Sequence, residues 1–170
     1  MSLDGFSMSA LAHELADALT GGRIDKINQP NKQSVILSVR QPGKNFLLYI
    51  NTNASNPSAH LIEAAPENPA EPPTFVMLLR KQLETGRIAA VRQERRDRIL
   101  HLDIDIIAGG GRIVTRTLTL ELIGKYSNII LHEGGTIIEA LRRIGENSSR
   151  VRTVLKGLPY TLPPAPDKMD

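Results

Sequence analysis

The fold turns on "RILHLDIDIIAGGGRIVTRTLTLELI", residues 98–123. Leu100, Leu102, Ile104 and Ile106 alternate with His101, Asp103 and Asp105. That period of two is the mark of a strand with one apolar and one polar face. Gly109, Gly110 and Gly111 break the pattern, and it resumes with Leu118, Leu120 and Leu122 inward. Two alternating runs joined by a glycine turn predict an antiparallel hairpin. A polar face on both runs predicts a sheet with one side turned away from the core.

The same signals recur outward from this hairpin. "RIDKINQ" (23–29), "SVILSVR" (34–40), "NFLLYIN" (45–51) and a weaker "AHLIEA" (59–64) read as strands. "PNKQ" and "QPGK" separate the first three with turn residues, as in a meander. "RIAAVRQ" (87–93), "SNIILHE" (127–133) and "TIIEALRRI" (136–144) add further β runs, the last two parted by Gly134-Gly135. Met8, Leu11, Ala12, Leu15 and Leu19 recur at helical spacing and predict a helix over about 8–20, with Ser7 or Ser9 as cap and Gly21-Gly22 as stop. After the proline-rich "APENPAEPP" (65–73), "TFVMLLRKQLETG" predicts a second helix with Phe75, Leu78, Leu79 and Leu83 buried and Gly86 at its end. The expected fold is α+β: a β-rich antiparallel sandwich of about eight strands flanked by helices. Residues 1–158 are expected to form one domain. Residues 159–170 read as a Pro-rich linker, so the sequence looks like a piece cut from a longer protein at a domain boundary.

Composition narrows the function. Aromatics are 4% of 170 residues and Trp is absent, so the core must be aliphatic. Cysteine is absent, which excludes disulfides and thiolate metal sites. Asp4, Glu14 and Asp17 interrupt the N-terminal stretch, which therefore does not read as a signal peptide. No run reaches the length of a membrane helix. A cytoplasmic location is expected. His13, His60, His101 and His132 lie far apart in sequence without a ligand partner at metal spacing, and no phosphate-cradling glycine motif or nucleophile elbow occurs. No metal, no cofactor and no catalytic residue is expected.

Charge distribution is the informative feature. The formal net charge is only +3. Yet Arg80, Lys81, Arg87, Arg92, Arg95, Arg96 and Arg98 crowd one stretch, opposed only by Glu84, Glu94 and Asp97. Arg142, Arg143, Arg150, Arg152 and Lys156 form a second cluster. Such clusters are either a solvated face or a phosphate-binding surface, and the preference for Arg suits planar recognition of phosphate. Arg80, Lys81, Arg92, Arg95 and Arg96 are the candidate phosphate contacts. Asp97-Arg98 is the odd pair. A carboxylate weakens a phosphate patch, so it is either a local ion pair or an acceptor for base edges.

The motifs "GGRIDKINQP", "EPPTFVMLLRK", "DRIL" and "GKYSNIIL", in this order, resemble the N-terminal domain of the NFACT family, over essentially the whole chain. These are bacterial ribosome-associated quality-control proteins, often labelled fibronectin-binding protein A-like. The resemblance implies a tRNA-binding domain that is not itself an enzyme. Its parent protein binds large ribosomal subunits carrying an obstructed nascent chain and recruits alanyl-tRNA for template-free alanine tailing. Asp97 and Arg98 match the family's Asp-Arg signature, Asp4 an acidic position near the N-terminus, and Gly124, Lys125, Ser127 and Asn128 its glycine-basic-x-Ser-Asn segment. Lys125 stands where many members carry Arg. The resemblance also implies a fold similar to the N-terminal domain of formamidopyrimidine-type DNA glycosylases. Those enzymes use an N-terminal proline amine, and position 2 here is Ser. The alternatives are a glycosylase-like DNA-binding module and a fibronectin-binding surface adhesin.

Overall fold

The computed structural model describes residues 5–94, 98–146 and 152–164, with the side chains of Gly5 and Phe6 outside that description. Helix α1 (Gly5–Leu19) opens the chain. Strands β1 (Arg23–Asn31), β2 (Ser34–Gln41), β3 (Lys44–Asn51) and β4 (Ser58–Ile62) follow. Helix α2 (Thr74–Leu83) leads to β5 (Arg87–Gln93), β6 (Ile99–Ile107), β7 (Ile113–Glu121), β8 (Asn128–Glu133) and β9 (Thr136–Ala140).

Antiparallel pairing and two helices follow the sequence expectation, but the sheets of the sandwich are not separate. The strands form one nine-stranded sheet in the order β4-β3-β2-β1-β5-β6-β7-β8-β9. The join is narrow: β1 and β5 meet at Arg23 and Arg87. A short junction lets the two wings turn toward each other, and a single apolar cluster draws on both. Leu37 and Leu48 come from one wing, Leu102 and Leu120 from the other, and Leu15 and Leu79 from the helices. All six are fully buried. Such a side chain stabilises by roughly 1.5–3 kcal/mol when removed from water. Across the far ends of the wings, Arg142 Nη2 donates to the Thr52 carbonyl at 3.2 Å.

Each helix docks most of the face its spacing predicts, but in α2 Leu78 is only half-buried and Val76 is buried in addition. Met8, Ala12, Leu15 and Leu19 of α1 are buried, as are Phe75, Val76, Leu79 and Leu83 of α2. The end of α2 differs from the expectation. Thr85, not Gly86, takes the left-handed conformation, with φ 71°. Gly86 is required for space: a Cβ there would meet Ile106 Cδ1 at 2.4 Å and Ile104 Cγ2 at 2.7 Å.

The polar face of the founding hairpin is the other departure. Its apolar face packs in the core as expected. On the opposite face His101, Thr117, Thr119 and Glu121 are buried too. The cover is the C-terminal segment. Val154 packs with Ile130, Ile137 and Ala140 in a second small core, with Ile144 and Tyr160 against it. Pro159 bridges to Thr136, and Tyr160 N donates to Gly135 O at 2.6 Å. Pro159 and Tyr160, expected to begin a linker, thus pair with the β8–β9 end of the sheet.

Candidate nucleic-acid interface

Two loops at one end of the sheet carry Arg98 and the Gly124–Asn128 segment, while Arg80 and Lys81 lie on α2 and Arg92 on β5. The β5–β6 loop is closed by Glu94 N donating to Ile99 O at 3.0 Å. The β7–β8 loop begins where Leu122 N donates to Arg98 O at 2.9 Å. Ile99 and Glu121 are register partners just inside. Antiparallel pairing of β6 with β7 therefore brings Arg98 beside the Gly124–Asn128 segment. Arg98 is half-buried. Asp4, Arg95, Arg96 and Asp97 lie outside the described residues.

Gly124 to Tyr126 form one short 3-10 turn, with Gly124 at φ 49°. Ser127 and Asn128 hold this turn from below. Ser127 is buried, and its hydroxyl donates to Gly124 O at 2.7 Å. Asn128 is buried, and its amide pairs with the Arg142 backbone on both sides. Lys125 and Tyr126 are what the turn presents. Lys125 is exposed, Tyr126 is 40% exposed, and the Lys125 ammonium sits 5.2 Å from the Tyr126 ring centroid. A cation and an aromatic edge at a tip suit phosphate and base contact.

Most described arginines of the two clusters are tied into the fold. Arg80 Nε donates to Ile27 O at 2.8 Å and Nη2 to Asn28 Oδ1 at 3.1 Å, fastening α2 to β1. Arg92 grips both oxygens of Asp103, at 2.6 and 2.9 Å. That hydrogen bond holds the Asp103 carboxyl below the usual range against the opposing effect of burial. Arg142 Nη1 donates to Ser127 O at 2.8 Å. Arg143 grips Glu139, at 3.0 and 2.7 Å. Arg152 clamps Glu121 at 2.8 and 2.7 Å, with the side chains 9% and 1% exposed. Lys81 and Lys156 are exposed. So of the described candidate phosphate contacts, Lys81 faces solvent outright, while Arg80 and Arg92 already serve internal acceptors.

Sequence reading missed a polar row behind the loops, buried at its centre and half-buried at its ends. Glu94 Oε1 lies 3.0 Å from His101 Nε2. His101 Nδ1 lies 2.7 Å from the Thr119 hydroxyl, which lies 2.8 Å from His132 Nε2. Tyr160 stacks on His132 with centroids 4.5 Å apart, and its hydroxyl donates to Glu121 Oε2 at 2.8 Å. Burial pushes the Tyr160 phenol up, and the Glu121 carboxylate adds to this. His101 and His132 are far apart in sequence, so only the β6-β7-β8 register could have joined them. The available signal was the alternation itself: His101 and Thr119 fall on the polar side of facing strands. No group of three or more His, Cys, Asp or Glu that could hold a metal ion occurs among the described residues.

Known proteins share this frame. The chain is 42% identical over 171 residues to a Rqc2 homolog RqcH of Bacillus subtilis (strain 168), spanning 99% of this chain and 30% of that protein. It is 34% identical to a Rqc2 homolog RqcH of Streptococcus pneumoniae serotype 2, spanning 100% of this chain and 31% of that protein. The chain thus spans about a third of these relatives. The crystal structure of the N-terminal domain of the fibronectin-binding protein PavA from Streptococcus pneumoniae superposes with a TM-score of 0.91 at 33% identity, covering 99% of this chain and 66% of that one. The N-terminal part of the fibronectin/fibrinogen-binding protein from Streptococcus suis gives 0.90 at 38% identity, covering 96% and 62%. Residues 4–170 match the family model described as NFACT N-terminal and middle domains, and the chain belongs to the NFACT family.

Proposed function

We propose that this domain binds tRNA as part of a ribosome quality-control factor. In the full reading, the whole protein joins large ribosomal subunits that carry an obstructed nascent chain. It recruits alanyl-tRNA there for template-free alanine tailing. The domain positions RNA and catalyses no step. The observation that carries this reading is the Leu122–Arg98 backbone bond, which sets Arg98 beside the turn that presents Lys125 and Tyr126. A cation from each of two loops and one exposed ring suit an RNA loop, whose unpaired bases expose edges and faces between phosphates. Asp97 joins Arg98 in this role as an acceptor for base amino or imino groups. The relatives named Rqc2 homolog support the ribosomal setting. An architectural likeness to glycosylase-type N-terminal domains belongs to the same proposal, without their reaction.

The test is tRNA binding by the purified chain at several salt concentrations, with duplex DNA as competitor. Saturable tRNA binding that outcompetes duplex DNA supports the reading. Equal affinity for both nucleic acids, or none for tRNA, contradicts it. A second reading is favoured by the names of the superposing structures: a fibronectin-binding surface. Immobilised fibronectin in the same assay decides between them.

A further inference from the structure

The polar row behind the loops behaves as one unit because of a proton count. The Thr119 hydroxyl has one proton and touches both His101 and His132. If a neutral His101 donates from Nε2 to Glu94, its Nδ1 must accept the Thr119 proton. His132 must then donate from Nε2 to the Thr119 oxygen. With both rings neutral, one proton arrangement satisfies every contact from Glu94 to His132; with His101 protonated, the Thr119 hydroxyl turns to donate to His132 Nε2, so in either case the row is set as a unit and not at one end alone. On one side it reaches Glu94, whose own N–H closes the loop that contains Arg98. On the other side it ends at His132, whose face is covered by Tyr160. Tyr160 in turn is held by Glu121 and lies 5.4 Å from the Arg152 guanidinium.

We propose that His101, Thr119 and His132 are positioning residues for the loop that carries Arg98, and that docking of Tyr160 on His132 keeps them in place. The binding consequence rests on the RNA reading above; the positioning itself does not. Tyr160 excludes water from the His132 ring. Without it, water competes for Nε2, the Thr119 hydroxyl turns, and His101 loses the acceptor that orients its bond to Glu94. The loop then loses an inner anchor while the strands stay paired. The C-terminal segment and the RNA-facing tip are thereby linked through side chains alone, across β8, β7 and β6.

Hydrogen exchange of the whole chain tests this, followed at the Glu94 and Leu122 amides, with amides of β2 and β3 as reference. In Tyr160→Ala the Glu94 and Leu122 amides should exchange about tenfold faster, the reference amides staying as in the wild type. Tyr160→Phe keeps the stacked ring and should restore wild-type loop protection. Thr119→Val is the second variant: it cuts the row but leaves Tyr160 in place. It should speed the same two amides while residues 152–158 remain protected. Unchanged Glu94 and Leu122 protection in Thr119→Val, or in Tyr160→Ala with residues 152–158 exchanging fast, overturns the proposal. Faster loop exchange with undiminished tRNA affinity leaves the positioning proposal standing and counts against the RNA reading.

Discussion

Asn128 grips the backbone of Arg142 from both sides: its Oδ1 accepts the Arg142 amide at 2.9 Å and its Nδ2 donates to the Arg142 carbonyl at 2.9 Å. The same Oδ1 accepts the Ile129 amide at 2.9 Å. A buried side chain stands in for a strand at the point where β9 ends. Asn128→Ala leaves two amides and a carbonyl without that partner. The expected cost is about 2–3 kcal/mol, since unsatisfied buried groups carry their full desolvation penalty. The melting temperature should fall by roughly 5–10 °C. Asn128→Asp keeps the acceptor but sets a carboxylate against the Arg142 carbonyl, and should cost no less.

Arg152 and Glu121 form the most deeply buried ion pair among the described residues. Removing one partner strands the other. Arg152→Ala should destabilise by about 3–5 kcal/mol, more than loss of the side chain alone. Exchange of both partners for aliphatic residues of similar size should recover most of that. Chemical denaturation of the single and double variants reads out the difference. A double variant as unstable as Arg152→Ala would speak against a stranded charge as the cause.

Stability should depend on pH through His132. Burial pushes its pKa from 6.5 down to about 4, helped by His101 and, less, by Arg92, with Asp103 opposing. The folded form thus resists a proton that the unfolded chain accepts. The contribution is complete above pH 6.5, declines as pH falls, and is gone below about pH 4. Because the ring is only partly buried, the effect should be on the order of 1–2 kcal/mol. Equilibrium unfolding between pH 4 and 7 should show this slope, and His132→Gln should flatten it. Asp103 adds a second loss below pH 4, because the Arg92 hydrogen bond holds its carboxyl low.

Arg92 offers a contrast within the basic cluster. Both its bonds run to Asp103, so its charge is largely balanced within the fold. Arg92→Ala should change the salt dependence of RNA binding by less than the roughly 0.7–0.9 unit expected of a full phosphate contact. A full unit lost would restore Arg92 as a phosphate ligand.

The founding hairpin shows what alternation can and cannot reveal. Leu100, Leu102, Ile104, Leu118 and Leu120 face the core as their spacing says. The burial of His101 and Thr119 was not legible, because it depends on a segment about forty residues downstream folding back. Tyr160, one aromatic amid prolines, was the only hint. The placement of Arg98 opposite Leu122, where the β7–β8 loop begins, follows from strand register once the hairpin is known. The internal bonds of Ser127 and Asn128 do not: the family resemblance marks both as RNA contacts, and the structure adds that their side chains also bond within the fold. Charge clusters conceal internal bonds in the same way. An arginine beside a backbone carbonyl, as Arg80 is at Ile27, looks in sequence like an arginine free to meet phosphate.

The proposed RNA-binding surface stands on Arg98 and Lys125 together. The decisive measurement is tRNA affinity of Arg98→Ala and Lys125→Ala, taken across salt and beside thermal melting. Arg98→Ala should lose about 1–3 kcal/mol of binding, the scale of a charge-assisted hydrogen bond. Lys125→Ala should make the salt slope shallower by about 0.7–0.9 unit. Neither should move the melting temperature, because Lys125 is exposed and the Arg98 bond to Leu122 is made by the backbone. Unchanged affinity and slope in both folded variants would contradict the account.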